Sequence, residues 1–325
     1  MDTLFRNDLT NLGGLQLQQA RTAEVATYGG HRALKLDGLA LLPGLTLGDG
    51  CVEVSIAAEG PGYPGVAFRA ADDQDYELAY AVPHVSRQWD ALQYDPVFAG
   101  SNTWQLYNGP AYQAAVPVPT GEWFTLRIVM QGNRAAIRLN RERTLVVVRL
   151  AHRRAAGGIG VWTYRPAYFR DLRIGAAPEL PAAGVLPPVP AGTVTEWSLE
   201  GAGVVACEPG GALNVNRYLP SSAGTARLTR HFETLAAGPV DIAFGFSDEL
   251  ALRLDGETVH TGTNTFTGFA DRAARGYVEP GAHVVQRTLP PGEHTLEADL
   301  KVSEGFGWGL HLALRGRHAR LLPLA

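Results

Sequence analysis

The sequence predicts an all-β protein: two β-sandwich (jelly-roll) domains joined by a linker rich in Pro, Ala and Gly. Apolar and polar residues alternate over many short stretches, as expected of half-buried strands. Turn residues separate these stretches, and they are abundant: the 325-residue chain contains 38 glycines and 21 prolines. The chain is also too long for one ordinary core. We therefore expect domains at residues 1–176 and 194–325 and a linker at residues 177–193.

Alternation with a period of two identifies the strands of the first domain. The stretch YELAY places Tyr76, Leu78 and Tyr80 on one face of a strand. Residues 123–140, WFTLRIVMQGNRAAIRLN, predict a hairpin that turns at QGNR. Only residues 12–24, LGGLQLQQARTAE, have helical leanings, and the two glycines weaken them.

The composition changes between the two domains and then returns to alternation. Residues 175–192, GAAPELPAAGVLPPVPAG, hold a single charge and predict a semi-rigid, extended segment. Beyond them Ile242, Phe244 and Phe246 share one face of a strand. The dipeptide Asp255-Gly256 then predicts a tight hairpin turn.

Bulk charge and the absence of certain motifs exclude several classes of function. A net charge of −4 argues against nucleic acid and anionic membrane as partners. No stretch has the ~20 apolar residues of a membrane span, and the N-terminus does not have the pattern of a signal peptide. We expect a cytoplasmic protein, or a secreted one if a leader was removed. Cys51 and Cys207 form neither a disulfide framework nor a zinc motif.

Several segments of the first domain carry a family resemblance. CVEVSIAAEGPGYPGVAFRAADDQDYELAY, GEWFTLRIVMQGNRAAIRLN and GGIGVWTYRPAYFRDLRI occur in this order within residues 25–175. Together they resemble the concanavalin A-like jelly rolls, and most closely the laminin-G-type domains and the bacterial 3-keto-disaccharide hydrolase family. The sequence departs from the family pattern at LNRE, where an LNG turn is usual, and at GVWTY, where GLQ is usual.

The resemblance implies that one concave sheet of the first domain binds sugars. It places Arg69, Glu77 and Tyr80 on neighbouring strands that face this groove. Glu77, Asp90 and His84 are then candidate catalysts, because glycoside hydrolysis needs two carboxyl groups roughly 5–9.5 Å apart. Sequence spacing does not set that distance. The alternatives are an Arg69–Glu77 pair within the strands and a structural role for His84.

Residues 90–109, DALQYDPVFAGSNTWQLYNG, concentrate aromatic rings and amides in a predicted loop. Rings suit the apolar faces of sugars, whereas amides suit their hydroxyl edges and are costly to bury. Such a loop is expected beside a wet, concave site. The alternative is a loop folded over the sandwich with its rings pointing inward. The candidate ligand-binding residues are Arg69, Tyr80, Gln93, Tyr94, Trp104, Gln105 and Tyr107.

The second domain resembles the galactose-binding-like β-sandwiches over residues 225–315. The segments that show this resemblance are FGFSDELALRLDGETVHTG, LPPGEHTLEADL and GFGWG. Charged and aromatic residues of its loops suit either a sugar or an interface between domains or subunits. The candidates are Arg217, Asp248, Asp271, Arg272, Arg275 and Tyr277. A structural calcium remains open, although there is no D-x-D-x-D-G loop and its ligands are unknown.

Three functions are consistent with these features. The first is a carbohydrate-binding protein that recognises a glycan or glycoside in the groove of the first domain. The second is a glycoside-active enzyme, which is a hydrolase or a lyase-like enzyme that acts on a modified sugar. We expect this enzyme to need no cofactor. The third is an assembly protein that uses both aromatic loops as interfaces, which allows a homo-oligomer. The sequence identifies neither the sugar nor the linkage.

Overall fold

A computed structural model describes residues 3–142, 144–182, 186 and 189–324 of the chain. Within these residues the protein is all-β, which confirms the predicted fold class, and its only helical segments are 3₁₀ turns of three residues each. These turns are Leu12–Gly14, Pro83–Val85, Val215–Arg217, Ser221–Ala223 and Ala273–Arg275. The strands are β1 Thr3–Asn7, β2 Gln16–Tyr28, β3 His31–Leu47, β4 Gly50–Ala57, β5 Gly65–Ala70, β6 Glu77–Ala81, β7 Leu92–Tyr94, β8 Gln113–Ala114, β9 Phe124–Gln131, β10 Arg134–Leu139, β11 Leu145–Val147, β12 Gly157–Gly175, β13 Glu196–Leu199, β14 Gly203–Ala206, β15 Ala212–Asn214, β16 Thr225–Thr234, β17 Gly238–Ser247, β18 Glu249–Leu254, β19 Glu257–Thr263, β20 His283–Leu289, β21 Gly292–Lys301, β22 Gly309–Arg315 and β23 Ala319–Leu321.

The chain divides into two compact units. Unit 1 comprises residues 1–100 and 107–185, and unit 2 comprises residues 101–106 and 186–325. The domain boundaries expected from the sequence, at 176 and 194, stay predictions. The expected linker lies partly outside the described residues, because 183–185 and 187–188 are not described.

Unit 1 is one hydrogen-bonded network in which β12 belongs to two layers. Its C-terminal half pairs with β4 and β1, and its N-terminal half pairs with β5 and β3. The first layer therefore contains β11, β10, β9, β4, the C-terminal half of β12, and β1. The second layer contains β2, β3, the N-terminal half of β12, β5, β6, β7 and β8.

The hairpin predicted at residues 123–140 is confirmed as β9 and β10. Arg134 pairs with Gln131, and the register continues without a shift to Leu139 and Leu126. Leu126 and Ile128 are fully buried, as the period of two requires. The helical leaning of residues 12–24 is wrong: most of this stretch is β2, because pairing along β3 outweighs local propensity.

Unit 2 is built from two sheets that enclose one apolar core. One sheet has the order β14-β13-β16-β21-β18-β19, with β23 also paired to β16, and the other has the order β15-β22-β17-β20. Ile242, Phe244 and Phe246 all lie in the core, as their alternation predicts. The predicted turn at Asp255-Gly256 is also confirmed, since both residues have positive φ, 52° and 82°, between β18 and β19.

Residues 101–106 belong to unit 2, and Gln105 holds this segment there. The Gln105 backbone N–H donates to the Phe306 carbonyl at 3.0 Å, and its carbonyl accepts from the Val278 N–H at 2.9 Å. The side-chain amide donates to the Arg275 carbonyl and accepts from the Ser247 hydroxyl. Gln105 is fully buried, so these bonds satisfy an amide that would be costly to bury alone.

Gly65 in β5 allows a close backbone approach that a larger residue would prevent. A Cβ atom there would lie 2.2 Å from the Ala79 carbonyl oxygen and 2.6 Å from the Tyr80 Cβ. We expect Gly65→Ala to lower the free energy of unfolding by about 2 kcal/mol or more, because the neighbours are strand atoms that cannot move aside. Urea unfolding measures this loss.

Gly60→Ala is the matched control for this substitution. A Cβ atom at Gly60 would meet nothing within 4 Å, so the stability should change by less than about 0.5 kcal/mol. Equal stabilities for the two variants would show that β5 and β6 do not approach each other in this way.

Candidate functional site

A cross-strand row on the second layer collects aromatic and amide side chains on one face. Trp162 of β12 is paired with Gly65 of β5, Gly65 with Tyr80 of β6, and Tyr80 with Gln93 of β7. Gln93 is in turn paired with Gln113 of β8. Because directly paired residues of antiparallel strands point to the same side, these side chains share a face.

Further rings join this row to form an aromatic cluster. The Tyr63 ring lies 5.9 Å from Tyr80, 5.1 Å from His84 and 5.9 Å from Tyr164, measured between ring centroids. The rings of Tyr80 and Trp162 are 5.8 Å apart. These separations are typical of favourable aromatic pairs. The aromatic cluster is therefore Tyr63, Tyr80, His84, Trp162 and Tyr164.

The members of the aromatic cluster differ in exposure. The Tyr80 side chain is buried, with 3% of its surface exposed, whereas Tyr164 is 48% exposed. Trp162 and Tyr63 are partly exposed. Gly65 brings the Trp162 and Tyr80 rings together because it has no side chain between them. The cluster thus has a buried base and an accessible part made of Trp162 and Tyr164.

An ion pair lies at the Tyr164 end of the cluster. Arg21 Nε and Nη2 each donate to one oxygen of the Asp37 carboxylate, at 3.0 and 2.9 Å. The guanidinium lies over the Tyr164 ring, with its Cζ 4.9 Å from the centroid. The hydrogen bond to Asp37 raises the pKa of Arg21. A fixed charged fork therefore borders the most exposed ring of the cluster.

Two glutamines continue the row at its opposite end. The Gln113 side chain donates its Nε2–H to the Gln93 Oε1 at 3.1 Å, and its own Oε1 accepts from the Gly109 N–H at 2.9 Å. Both glutamines are almost fully buried. Their amides are therefore held in fixed orientations by the protein itself.

Glu77 lies on the face of β6 opposite Tyr80, because the two residues are three positions apart and side chains alternate along a strand. Its carboxyl group is fully buried. Oε2 accepts from the Tyr94 hydroxyl at 2.5 Å, and Oε1 accepts from the His152 N–H at 3.0 Å. Burial raises the pKa of Glu77 to about 7, against the opposing effect of these two hydrogen bonds.

The three predicted catalysts occupy different positions in unit 1. His84 belongs to the aromatic cluster, and Glu77 faces the other side of the sheet. Asp90 is buried in the turn that the Ala91 N–H closes onto the Gln88 carbonyl. Their catalytic roles stay predictions. The register of β6 places the Glu77 side chain away from the His84 ring.

Arg69 and the two remaining tyrosines also lie within unit 1. Arg69 is the penultimate residue of β5 and has a positive φ of 48°. It is buried, and it donates to the Arg154 carbonyl at 2.8 Å. Burial lowers its pKa. Tyr107 packs edge-on against Tyr94 at 6.1 Å, and both rings are almost fully buried. The binding roles of these residues stay predictions.

Trp104 and Gln105, which were also predicted to bind the ligand, lie in unit 2 with the segment described above. Trp104 contacts the rings of Phe266, Tyr277 and Phe306 at 6.0, 5.7 and 5.4 Å. Residues 90–109 are therefore divided between the two units. The resemblance of the first domain to laminin-G-type domains and the resemblance of the second domain to galactose-binding-like sandwiches stay predictions.

The charged candidates of unit 2 stabilise its loops. Arg217 pairs with Glu208 at 2.6 Å, and Arg272 pairs with Glu279 at 2.8 Å and lies over the Tyr277 ring. The Asp248 carboxylate accepts from the backbone N–H groups of Ser303 and Glu304, Asp271 accepts from the Ala274 N–H, and Arg275 donates to the Gly268 carbonyl. Ligand or interface roles for them stay predictions.

No group of three or more His, Cys, Asp or Glu side chains suited to a metal ion occurs among the described residues. The structural calcium considered from the sequence stays a prediction. In the same part of the chain, no helix is long and apolar enough to cross a membrane.

Sequence reasoning missed several members of this site. Tyr63, Trp162 and Tyr164 of the aromatic cluster, Gln113 and the Arg21–Asp37 pair were not among the candidates. Trp162 and Tyr164 are two residues apart in one strand, so their alternation indicates a shared face. The Arg21–Asp37 pair depends on the pairing of β2 with β3, and alternation along a single strand does not predict which strands pair.

Residues 49–175 match the family model of the 3-keto-alpha-glucoside-1,2-lyase-like domain. This match confirms the resemblance of the first domain to the 3-keto-disaccharide hydrolase family. It covers most of the first layer and of the row that carries the aromatic cluster. No curated protein matches the sequence.

Three solved structures illustrate what the fold is similar to. The carbohydrate binding module CBM66 from Bacillus subtilis is 14% identical, with 50% of this chain and 96% of that chain covered and a TM-score of 0.39. A putative glycosyl hydrolase from Parabacteroides distasonis is 12% identical, covering 53% and 99%, with a TM-score of 0.37. The Bacillus licheniformis beta-glucanase is 11% identical, covering 53% and 97%, also with a TM-score of 0.37.

The raised pKa of Glu77 predicts a stability that depends on pH. The ordinary pKa is 4.5 and the folded one about 7, so the folded protein keeps a proton that the unfolded chain releases. The resulting stabilisation is complete below pH 4.5 and is lost as the pH rises through about 7. This loss lowers the free energy of unfolding by about 3 kcal/mol in total, and Glu77→Gln should remove the pH dependence.

Urea unfolding at several pH values between 4.5 and 8 measures the slope in both proteins. Glu122→Gln, at an exposed position of the same unit, is the control and should keep the parental slope. A Glu77→Gln protein with the same pH dependence as the parent would contradict the assigned protonation.

Proposed function

We propose that unit 1 binds a carbohydrate through the aromatic cluster of its second layer. Sugars present apolar C–H faces, which pack on aromatic rings, and hydroxyl edges, which bond to planar polar groups. Trp162 and Tyr164 offer the accessible rings, and the Arg21–Asp37 pair offers the polar edge. The ligand is a glycan or glycoside.

The contact between Tyr164 and the Arg21–Asp37 pair is the observation that carries the proposal. A ring 48% exposed lies directly under a guanidinium that a carboxylate holds by two hydrogen bonds. The Arg165 N–H also donates to Asp37 at 3.1 Å, which fixes the carboxylate. A sugar that contacts the part of the Tyr164 ring left exposed beside the guanidinium would find donors and acceptors in place, so little side-chain entropy is lost on binding.

The buried part of the cluster supports the accessible rings. Tyr80 and Tyr63 pack against Trp162 and Tyr164 respectively, which restricts the rotation of the two exposed side chains. Rigid rings bind at a lower entropic cost than mobile ones. Gln93 and Gln113 continue the same row with buried amides that bond to each other, and this bond fixes the sheet on which the rings stand.

The family-model match of residues 49–175 supports a second candidate, a glycoside-active enzyme. The match is to a 3-keto-alpha-glucoside-1,2-lyase-like domain, so a modified disaccharide is the substrate to test. Under this candidate, Glu77, Asp90 and His84 are the groups to examine for proton transfer. A carboxyl group with a pKa of about 7 could exchange a proton near neutral pH.

Substitution of the accessible rings tests carbohydrate binding. Tyr164→Ala and Trp162→Phe should each weaken the affinity for the best ligand of a glycan panel at least tenfold, because each reduces the aromatic surface on which the sugar stacks. Isothermal titration calorimetry gives the affinity, and tryptophan fluorescence should respond to the ligand in the parent protein.

Trp123→Phe is the matched control, since Trp123 is also a partly exposed tryptophan of unit 1 but packs against Tyr28. It should leave the affinity unchanged. Unaltered binding in both cluster variants, with a ligand that the parent binds, would rule out the aromatic cluster as the sugar site.

Mass spectrometric detection of cleavage tests the enzyme candidate. A 3-keto disaccharide is incubated with the parent protein and with Glu77→Gln and Asp90→Asn. If the protein is an enzyme that uses these groups, each variant should lose at least about two orders of magnitude in rate. Cleavage that persists in both variants would exclude Glu77 and Asp90 as catalysts. Absence of cleavage with the parent protein would exclude this enzyme activity and leave carbohydrate binding as the proposed function.

A further inference from the structure

We propose a second ligand site in unit 1, on the outer face of the first layer, for a saccharide that carries an oxyanion group. The group is a carboxylate or a phosphate. This site lies on the opposite layer from the aromatic cluster and uses different residues. Three observations support the proposal: a cavity, the arginines that line the cavity, and the incomplete ion pairing of those arginines.

A cross-strand row of charged side chains runs across the outer face. Arg6 of β1 is paired with Arg173 of β12, Arg173 with Glu53 of β4, and Glu53 with Arg127 of β9. Arg127 is in turn paired with Arg138 of β10. Four arginines thus share this row with one glutamate. Arg6 and Arg173 lie within ion-pair distance of Asp171, so the positive character is concentrated at the β9–β10 end of the row.

A cavity of about 700 Å³ lies at the β9–β10 end of the row. Its volume is in the range of sites for small organic ligands. Among the described residues, no aromatic or aliphatic side chain lines it, which distinguishes it from a surface on which sugar faces stack. The lining residues are Glu53, Thr125, Arg127, Arg138, Asn140, Arg141 and Glu142.

The arginines of the cavity are not equally neutralised. Arg127 is paired with Glu53 at 2.6 Å. Arg138 donates one hydrogen bond, from Nη2 to the Arg141 carbonyl at 3.1 Å, and its Nε is buried with no hydrogen-bond partner. Among the described residues, neither Arg138 nor Arg141 has a carboxylate within ion-pair distance. Two guanidinium groups are therefore available to an anion that enters the cavity.

The turn after β10 holds Arg141 at the rim of the cavity. Asn140 has a positive φ of 48°. Its side-chain oxygen accepts from the Thr125 N–H at 2.8 Å, and its own N–H donates to the Thr125 carbonyl at 2.8 Å. The Glu142 N–H closes the turn onto Leu139. These bonds fix the backbone from which Arg141 and Glu142 project.

The mixture of groups selects an acidic saccharide over other anions. Arg138 and Arg141 suit a carboxylate or phosphate, which accepts paired N–H bonds from a guanidinium. Glu53, Glu142 and Thr125 suit the hydroxyl groups of the same ligand. A small ligand that is both anionic and hydroxylated matches all of these groups.

Titration calorimetry with four probes tests the site: glucuronate, glucose 6-phosphate, glucose and inorganic phosphate. We expect glucuronate or glucose 6-phosphate, or both, to bind at least tenfold more tightly than glucose and inorganic phosphate. The response of each acidic sugar distinguishes a carboxylate from a phosphate as the recognised group. Equal affinity for glucose, or for inorganic phosphate, would overturn the proposal of an acidic saccharide.

Two variants locate the binding. Arg138→Gln/Arg141→Gln should weaken the binding of the acidic sugar at least tenfold, and Arg32→Gln, at an exposed arginine elsewhere in unit 1, should not. An unchanged affinity in the double variant would overturn the proposal. Circular dichroism establishes that the double variant is folded, and Arg141→Gln alone, at an exposed turn, serves if it is not.

Trp162→Phe separates this site from the aromatic cluster. It should leave the affinity for the acidic sugar unchanged, because the two sets of residues lie on different layers. A loss in Trp162→Phe that equals the loss in the arginine variant would contradict a second site. Failure of the arginine site leaves the carbohydrate proposal for the cluster intact, since its ligand panel and variants are separate.

Discussion

Backbone pairing along β12 is the constraint on which both candidate sites of unit 1 depend. This strand hydrogen-bonds to β3 and β5 through its N-terminal half and to β4 and β1 through its C-terminal half. Trp162 therefore lies in the row of the second layer, and Arg173 lies in the row of the first. One continuous ladder sets the register of both rows, so a change in the pairing of β12 would displace the rings and the arginines together.

The two sites are built by opposite physical means. On the second layer Gly65 removes a side chain from the middle of a row, and the rings of Trp162 and Tyr80 close over the gap. On the first layer the row is filled by long charged side chains, whose heads remain near water while their stems cover the sheet. The first arrangement suits a ligand with apolar faces, and the second suits one with a charge. A saccharide can offer both.

The two departures from the family pattern lie in the aromatic cluster and in the cavity of the first layer. LNRE contains Asn140, Arg141 and Glu142 of the cavity, and GVWTY contains Trp162 and Tyr164 of the aromatic cluster. The core positions that carry the family match bury apolar side chains, and their alternation was enough to predict the strands. The site could be predicted less well, because the composition of the loop 90–109 suggested a binding site there, whereas the accessible rings Trp162 and Tyr164 belong to strand β12.

Local periodicity determined the all-β class, the hairpin of β9 and β10, the turn at Asp255-Gly256 and the shared face of Tyr76, Leu78 and Tyr80. These features follow from the period of two and from turn chemistry, which act between near neighbours. Only the tertiary structure decided which strands lie side by side. It placed Trp162 beside Gly65, brought Tyr94 and His152 to the Glu77 carboxyl group, and assigned Gln105 to unit 2. Pairings between distant segments depend on the burial of the whole unit, and no short stretch of sequence contains that information.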